Sequence, residues 1–198
     1  MSSSGVYGDC HGSWVDERRK PNPSSDRAKR RLIAEQTLDW WSIVHKCSLT
    51  LLRVAGIYGP DRLPIERILK GRPIVNPDEA PWNNRIHIDD LTTICIAALN
   101  RMGHHEILNV SDGYPSTSGE FISAVATALG MPLPQKISLA EALREASHAE
   151  RIYLTESRRL DNRQLLEKLD IRLRYPTYMS AMEYLRTKGK STTTKIIV

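Results

Sequence analysis

The sequence concentrates side chains that could bind an anion in one short stretch, Arg27, Lys29, Arg30 and Arg31. Just before it, the oxygens of Ser24-Ser25-Asp26 are suited to cap the N-terminus of a helix, so the four cations are expected in its first turns. Positive charge at this end opposes the helix dipole, and the stretch therefore favours an anionic partner. A solvated helix face is the alternative interpretation of the same pattern.

The cysteines and histidines do not have the spacing of a metal site. Cys10, Cys47 and Cys95 are odd in number and far apart, and the neighbours His104 and His105 have no ligand-type side chain four residues on. We therefore expect no bound metal, reduced thiols as in a cytoplasmic protein, and a loop at the two histidines.

Composition excludes several classes of protein. The 198 residues are 40% hydrophobic and 26% charged with a net charge of +5, which is typical of a globular chain and not of a disordered one. The longest apolar runs fall short of the roughly 18 residues of a membrane span, and no basic segment followed by an apolar one suggests a secretory signal. We expect no membrane partner.

The positive charge is concentrated near the C-terminus. Residues 151–198 contain eleven Lys or Arg against five Asp or Glu. A basic face of this kind is compatible with nucleic acid, but solvated helices and a lysine-rich tail produce the same pattern, and we regard nucleic-acid binding as the least favoured function.

The order of the predicted elements is that of an α/β protein with a parallel sheet. Apolar runs at 49–57, 85–88 and 106–110 predict strands, and residues 9–25 predict a long surface loop. Helical periodicity and capping residues predict helices at about 26–44, 64–70, 89–100, 116–129, 163–169 and 177–186. Residues 188–198 lack periodicity and are expected to fray.

Four motifs, in this order and spacing, resemble the extended short-chain dehydrogenases/reductases, the NAD-dependent epimerase/dehydratase family. They are Ser2-Ser3-Ser4-Gly5-Val6-Tyr7-Gly8, Leu52-Arg53-Val54-Ala55-Gly56-Ile57-Tyr58-Gly59-Pro60, Arg85-Ile86-His87-Ile88-Asp89-Asp90 and Leu108-Asn109-Val110-Ser111-Asp112-Gly113. The atypical YeeZ-like branch is indicated by Trp14-Val15-Asp16-Glu17, Asn84-Arg85-Ile86-His87 and Leu160-Asp161-Asn162.

This resemblance extends from residue 2 to about residue 185 and implies the architecture. It implies the C-terminal part of a Rossmann-like, doubly wound parallel sheet together with a smaller substrate-side α/β lobe. Residues 1–60 would be a remnant of the dinucleotide-binding domain, 61–187 mainly the substrate-side lobe, and 188–198 a flexible tail.

The resemblance also implies catalytic roles. Ser3, four residues before Tyr7, matches the hydroxyl that polarises the reacting carbonyl, although a polar residue at a strand end would look the same. The family's Tyr-x-x-x-Lys pair aligns with Arg27 and Arg31. No tyrosine lies between Tyr7 and Tyr58, so the catalytic tyrosine is expected to be absent. Arg27 cannot exchange a proton as a phenol does, whereas Arg31 could hold a ribose hydroxyl or a phosphate.

The remaining site residues are implied by position. Arg53, Val54, Ala55 and Gly56 match the stretch that passes the nicotinamide, so with Ser3 and Arg31 they are the expected cofactor contacts. The expected substrate contacts are Tyr58, Arg62, Arg85 and His87. Arg85 could replace the family's phosphate-binding arginine, whose position is occupied by Asn83. His87 could instead be structural, bonding a backbone carbonyl beneath a helix capped by Asp89.

The family's glycine-rich G-x-x-G-x-x-G turn, which holds the pyrophosphate, does not occur in this sequence. NAD or NADP, the family's cofactor, is therefore expected not to bind tightly to this chain alone, and the chain is expected to be a truncated form.

One hypothesis is an NAD(P)-dependent epimerase, dehydratase or reductase for a small, nucleotide-sugar-like substrate, inactive as this chain alone. The other is a non-catalytic binding or regulatory module derived from that fold. The oligomeric state stays open.

Overall fold

A computed structural model describes residues 1–101 and 105–192 of the chain. The strands of this part are β1 (Ser2–Ser3), β2 (Trp14–Val15), β3 (Leu49–Val54), β4 (Gly56–Tyr58), β5 (Ile74–Val75), β6 (Trp82–Asn83), β7 (Arg85–His87), β8 (His105–Val110), β9 (Ser116–Thr117), β10 (Lys136–Ile137) and β11 (Arg159–Leu160). Its α-helices are α1 (Asp26–Val44), α2 (Ile65–Leu69), α3 (Ile88–Leu99), α4 (Ser118–Ala128), α5 (Leu139–Glu145), α6 (His148–Thr155), α7 (Arg163–Leu169) and α8 (Tyr178–Thr192).

The largest sheet has three parallel strands in the order β1-β3-β8. Ser3 lies opposite Val54, and Val54 opposite Val110, so the three strands end at one edge. Past this edge the chain continues into β4, which pairs in parallel with β7. Three further two-stranded pairs are β5 with β10, β2 with β11 and, antiparallel, β6 with β9. The α/β class with a parallel sheet is confirmed.

Apolar side chains form three packed clusters around this framework. One lies between the central sheet and helices α3 and α7, where Leu52, Val54, Leu108 and Ile94 are almost completely buried. A second cluster lies between α4 and α8. A third consists of residues that follow β1 together with residues of β2 and β11. Residues 51–54 are all buried, Arg53 included, so this strand has no alternation between a buried and an exposed face.

Several predicted elements are confirmed with changed boundaries. The run predicted as one strand at 49–57 is two, because the chain leaves the central sheet at Ala55 and pairs with β7 from Gly56 onward. The helix predicted at 116–129 begins only after the short strand β9. Helix α1 has the predicted start, with the Ser25 hydroxyl accepting the N–H of Ala28.

Two other predictions are wrong. His105 is not a loop residue: it begins strand β8, and its Nε2 lies 2.7 Å from Asp39 Oδ1. His104 lies outside the described residues. The last helix does not end near residue 186 but continues to Thr192, a continuation that helix propensity does not predict, since Thr187, Gly189 and Ser191 are weak helix formers. Residues 193–198 of the predicted tail lie outside the described residues. In the described part, no helix is both long and apolar enough to cross a bilayer.

A buried ion pair fixes α1 against the central sheet. The Nη2 of Arg53, on β3, lies 2.7 Å from Oε2 of Glu35, on α1, and Nε adds contacts at 3.2 Å to both carboxylate oxygens. Both side chains are only 4% exposed. Two charges that are removed from water are stable only while they stay in contact with each other. The pair therefore fixes the position of α1 along β3.

Removing one partner of this pair should destabilise the protein strongly. We expect Glu35→Ala to lower the free energy of unfolding by about 3–5 kcal/mol, since Arg53 would stay buried without a counter-charge. Gln36→Ala, at the exposed neighbouring position, should change it by less than about 0.5 kcal/mol. Urea unfolding followed by tryptophan fluorescence measures both, and a loss below about 1 kcal/mol for Glu35→Ala would contradict the role given to the pair.

Candidate functional site

The carboxyl ends of β1, β3 and β8 form one edge, where α/β proteins place their ligand sites. We call Ser3, Gly56 and Ser111, which lie at or just beyond these strand ends, the carboxyl edge. Ser3 is half-buried, Gly56 is exposed and Ser111 is buried. A ligand over this edge would therefore meet one accessible hydroxyl and one position without a side chain.

Ser3 is held in place by the turn that follows it. Residues Ser4–Tyr7 form a 3₁₀ turn, and the Ser3 hydroxyl caps it by accepting the N–H of Gly5 at 3.2 Å. Since the hydroxyl accepts this bond, its own proton can be donated to a second partner. Ser3 is thus a half-buried hydroxyl that is fixed by Gly5 and can still act as a donor.

The two arginines predicted for catalysis lie on the exposed side of α1. Arg27 is in the first turn of α1, and Arg31 is one turn further on, with Nη1 3.3 Å from the carbonyl oxygen of Met1. Ala28, between them, packs towards Gly5, so the first turn of α1 lies beside the turn that Ser3 caps. The structure therefore brings the N-terminal part of α1 to the carboxyl edge and leaves both guanidinium groups exposed.

The predicted cofactor stretch is mostly interior. Arg53 is bound to Glu35, and its guanidinium carbon lies 4.8 Å from the centre of the Tyr7 ring. Val54 and Ala55 are buried, so Gly56 is the part of the stretch that presents surface. Any contact of this stretch with a cofactor would have to be made by Gly56 or by the backbone.

Asn109 connects the carboxyl edge to the rest of the chain. Its Oδ1 accepts the Tyr7 hydroxyl at 2.8 Å, its Nδ2 donates to the carbonyl oxygens of Val15 and Asp161, and its backbone N–H donates to Glu17. Burial raises the pKa of Tyr7 and the pKa of Glu17 above their ordinary values. Tyr7 therefore acts as a hydrogen-bond donor that locks β8 to the turn after Ser3.

The predicted substrate residue Arg85 lies inside the fold. Its Nη1 donates to the hydroxyl of Ser116 at 2.6 Å, its Nη2 donates to the carbonyl of Thr117 at 3.2 Å, and its guanidinium carbon lies 4.5 Å from the centre of the Phe121 ring. These contacts bind β7 to the start of α4. With 6% exposure, the side chain has little surface for a substrate phosphate.

A second buried charge lies close to Arg85. Asp112 is 5% exposed, and its Oδ1 accepts the N–H of Tyr114, while Oδ2 has no partner among the described residues. Burial raises the pKa of Asp112 to about 7, although Tyr114 and Arg85 favour the charged form. Asp112 can therefore change protonation state near neutral pH.

His87 is a helix cap. Its Nδ1 accepts the N–H of Asp89 at 3.2 Å, so His87, and not Asp89, caps α3, and it accepts a backbone N–H where a bond to a carbonyl was expected. Burial lowers the pKa of His87, which keeps the ring neutral at neutral pH. His87 and Tyr58 both line a cavity beneath α8, and Arg62 is exposed in the turn after β4.

Basic residues of the C-terminal quarter are bound to this same part of the fold. Arg158 donates to the carbonyl of Gly8 and to Glu156, both at 2.7 Å. Arg159 donates to the carbonyl of Gly12, and its guanidinium carbon lies 5.4 and 5.5 Å from the ring centres of Trp14 and Trp82. Two of the eleven basic residues noted in the C-terminal quarter are thus bound to other parts of the protein.

The sequence analysis assigned no role to Glu17, Asn109 or Asp112. Asn109 and Asp112 belong to one of the four motifs and Glu17 to the Trp14–Glu17 segment, so their positions were visible. The partners of Glu17 and Asn109, about 50 to 100 residues away, were not. Within residues 1–101 and 105–192, no three His, Cys, Asp or Glu side chains are placed to hold a metal ion.

Comparison with known proteins gives a consistent result. Residues 1–111 match the sequence profile of the NAD dependent epimerase/dehydratase family. The protein YeeZ of Escherichia coli K12 is 29% identical over 134 residues, which cover 68% of this chain and 46% of YeeZ. The chain thus spans about half the length of the curated relatives that it matches.

Two solved structures show the similarity in three dimensions. A conserved protein of unknown function from Silicibacter pomeroyi is 33% identical with a TM-score of 0.84, covering 94% of this chain and 64% of that one. MoeE5, solved in complex with UDP-glucuronic acid and NAD, is 22% identical with a TM-score of 0.72, covering 96% and 64%. At that identity the second likeness is evidence for the fold alone.

The raised pKa of Asp112 should make stability depend on pH. Between its ordinary value of 3.8 and about 7, the folded protein keeps a proton that the unfolded chain loses, so this contribution to stability falls as the pH rises through that range. Asp112→Asn cannot ionise, and its stability relative to the wild type should rise by on the order of 3 kcal/mol between pH 4.5 and 7.5.

Urea unfolding at both pH values tests this expectation, with Asp78→Asn at an exposed position as the control. An equal difference between wild type and Asp112→Asn at the two pH values would show that Asp112 is ionised in the folded protein throughout.

Proposed function

Because the chain belongs to the NAD dependent epimerase/dehydratase family, we propose that it takes part in nicotinamide-dependent oxidoreductase or isomerase chemistry on a nucleotide-sugar-like substrate. The observation that carries the proposal is Ser3, a half-buried hydroxyl fixed at the carboxyl edge with its proton left to donate. The complex of MoeE5 with UDP-glucuronic acid and NAD supports this choice of substrate class. These relatives are longer than this chain, so an activity of the full-length kind is assigned to it only as a proposal.

Ser3 would act as the donor to the reacting carbonyl oxygen. A hydroxyl already oriented by Gly5 needs no rearrangement when negative charge develops on that oxygen, which is how such donors lower a reaction barrier. Gly56, the first residue of β4 after the neighbouring strand, is exposed and adds no side chain at this edge.

Arg31 would bind an anionic or hydroxyl-rich group. Its guanidinium is exposed, lies over the beginning of β1 and has a rigid fork of donors suited to a phosphate or a ribose diol. Arg27 occupies the place at which the family has its tyrosine, and a guanidinium does not release a proton at neutral pH. We therefore infer that proton transfer requires a group other than Arg27, and that this chain alone is inactive.

The residues fit a nicotinamide cofactor in part. Ser3 and Gly56 offer an accessible strand edge, and Arg31 offers a cation, but the glycine-rich turn that holds a pyrophosphate does not occur in the sequence. When bound, such a cofactor supplies the hydride acceptor. We infer that the chain alone binds NAD or NADP weakly. The three cysteines are free, as expected for the cytoplasmic location that we propose.

The alternative is a binding module that has kept the fold and lost catalysis, which the arginine at the place of the tyrosine favours. The two functions share substrate binding and differ in turnover. Nucleic-acid binding has less support, since Arg158 and Arg159 are engaged with backbone carbonyls, Glu156 and tryptophan rings.

Substrate binding at Ser3 can be tested directly by calorimetric titration with UDP-glucose. We expect saturable binding to the full chain, and about tenfold weaker binding for Ser3→Ala, because one hydrogen bond to the ligand is lost. Ser13→Ala, at an exposed position, is the matched control and should bind as the wild type does. No binding of UDP-glucose, or equal binding by Ser3→Ala, would contradict the assignment.

NADH fluorescence in the same samples tests the inference of weak cofactor binding. We expect no saturable enhancement in the presence or absence of UDP-glucose. A saturable enhancement that requires UDP-glucose would favour a catalytic site and would overturn the inference of weak cofactor binding.

A further inference from the structure

A cavity of about 230 Å³ lies between the turn after β4, the start of α3 and the face of α8. Its lining residues are not those of the carboxyl edge, so it is a separate candidate site. The space is comparable with the 150 Å³ cavities that hold a benzene ring, and it is too small for a nucleotide. Size therefore points to a ligand with a single ring.

The walls of the cavity are apolar and aromatic. Met182 and Leu185 of α8 and Leu63 supply aliphatic surface, while Tyr175 and Tyr184 supply aromatic surface with ring centres 6.2 Å apart. Met182 and Tyr175 are each 5% exposed, which shows that the inner part is well enclosed. Such walls favour a flat, apolar ring.

His87 gives the cavity a directed hydrogen-bond donor. Since Nδ1 accepts the N–H of Asp89, the neutral ring carries its proton on Nε2. A Cβ atom on Gly59 would lie 3.8 Å from this nitrogen but only 2.6 Å from Cγ2 of Ile88, so the Ile88 side chain bounds the space beside Gly59. His87 itself lines the cavity, and a ligand oxygen would meet the donor from that side.

Tyr58 contributes a second polar group. It lines the same cavity, is 2% exposed, and its hydroxyl has no hydrogen-bond partner among the described residues. Burial, followed by the nearby carboxylate of Asp112, raises the pKa of Tyr58, so the phenol stays protonated. A buried polar group of this kind is stabilised when a ligand or water satisfies it.

The charges at the cavity compensate each other. Arg174 Nη1 lies 3.6 Å from Asp89 Oδ2, and the guanidinium carbon lies 5.3 and 5.6 Å from the ring centres of Tyr175 and Tyr184. The lining contains one cation and one anion, which already pair, and His87 is neutral. An ionised ligand would find no unpaired opposite charge there.

We propose that this cavity binds an uncharged, planar six-membered ring with a carbonyl substituent, the carbonyl oxygen accepting the Nε2 proton of His87 and the ring packing among the apolar side chains of α8. The site shares no residue with the carboxyl edge, although it contains Tyr58 and His87, two of the predicted substrate contacts, and its test with benzamide is separate from the test with UDP-glucose. Its ligand could act as a second substrate or as an effector.

Benzamide is a suitable probe, because it has one planar ring, one carbonyl and no charge. In an ¹⁵N-resolved NMR titration of the full chain, we expect saturable shifts around His87 and Tyr175, with a dissociation constant on the order of 1 mM for so small a ligand. Benzoate, which has the same size and a negative charge, should bind at least about tenfold more weakly.

A pair of substitutions on one helix locates the site. Leu185→Trp should fill the cavity and abolish binding of benzamide, whereas Met179→Trp, on the exposed side of α8, should leave it unchanged. Nuclear Overhauser contacts between the benzamide ring and the Met182 methyl group in the wild type give a second readout that needs no variant. Absence of saturable binding up to 10-fold the expected constant, equal binding of benzoate, or undiminished binding by a folded Leu185→Trp would each overturn the proposal.

Discussion

The buried pair of Arg53 and Glu35 determines the relation between α1 and the central sheet. It joins the carboxyl end of β3 to the middle of α1 at a point where both side chains are buried, so the helix cannot slide without exposing or separating the two charges. The Arg53 guanidinium also lies over the ring of Tyr7, the last residue of the turn that Ser3 caps. This ion pair therefore fixes the Ser3 hydroxyl, the exposed arginines on α1 and strand β3 relative to one another.

Asparagine side chains extend this arrangement to the C-terminal quarter. Asn109 binds the carbonyls of Val15 and Asp161, Asn84 binds the carbonyl of Arg158 and the N–H of Leu160, and Asn162 binds the carbonyl of Ser111. Each supplies donors or acceptors to backbone groups of segments that are distant from it in sequence. The segment around residues 158–162 is thereby fixed beside Ser111 of the carboxyl edge although it is distant in sequence.

Local signals in the sequence were enough to predict the main elements. Periodicity and the Ser25 cap gave α1, and the apolar run at 106–110 gave β8, because both depend on neighbours along the chain. The break at Ala55 could not be predicted, since it arises when β4 leaves β3 to pair with β7, a contact between residues some 30 positions apart. His87 as the cap of α3 was missed for a related reason: histidine is an uncommon cap, and burial keeps it neutral so that Nδ1 can accept.

The candidate site was predictable in part. Ser3 was identified from its motif, and the structure places it at the end of β1, a position that fits both the catalytic interpretation and that of a polar strand-end residue. The predicted contacts Arg53 and Arg85 are charged residues whose type suggests a ligand, yet each has a protein partner, Glu35 for one and Ser116 with Thr117 for the other. A charged residue in a motif does not reveal which of these it binds, because the partner lies elsewhere in the sequence. Whether Arg27, Arg31 and Arg62 contact a ligand stays a prediction.

The central claim is that the carboxyl edge is where this chain meets a nucleotide-sugar-like ligand. The most direct test is an amide-resolved NMR map of the isotopically labelled chain with UDP-glucose. The structure predicts that the largest shifts fall on Ser3, Gly5, Gly56 and Ser111, where the three parallel strands end. Shifts confined to other surfaces, with these four amides unchanged at saturation, would contradict it.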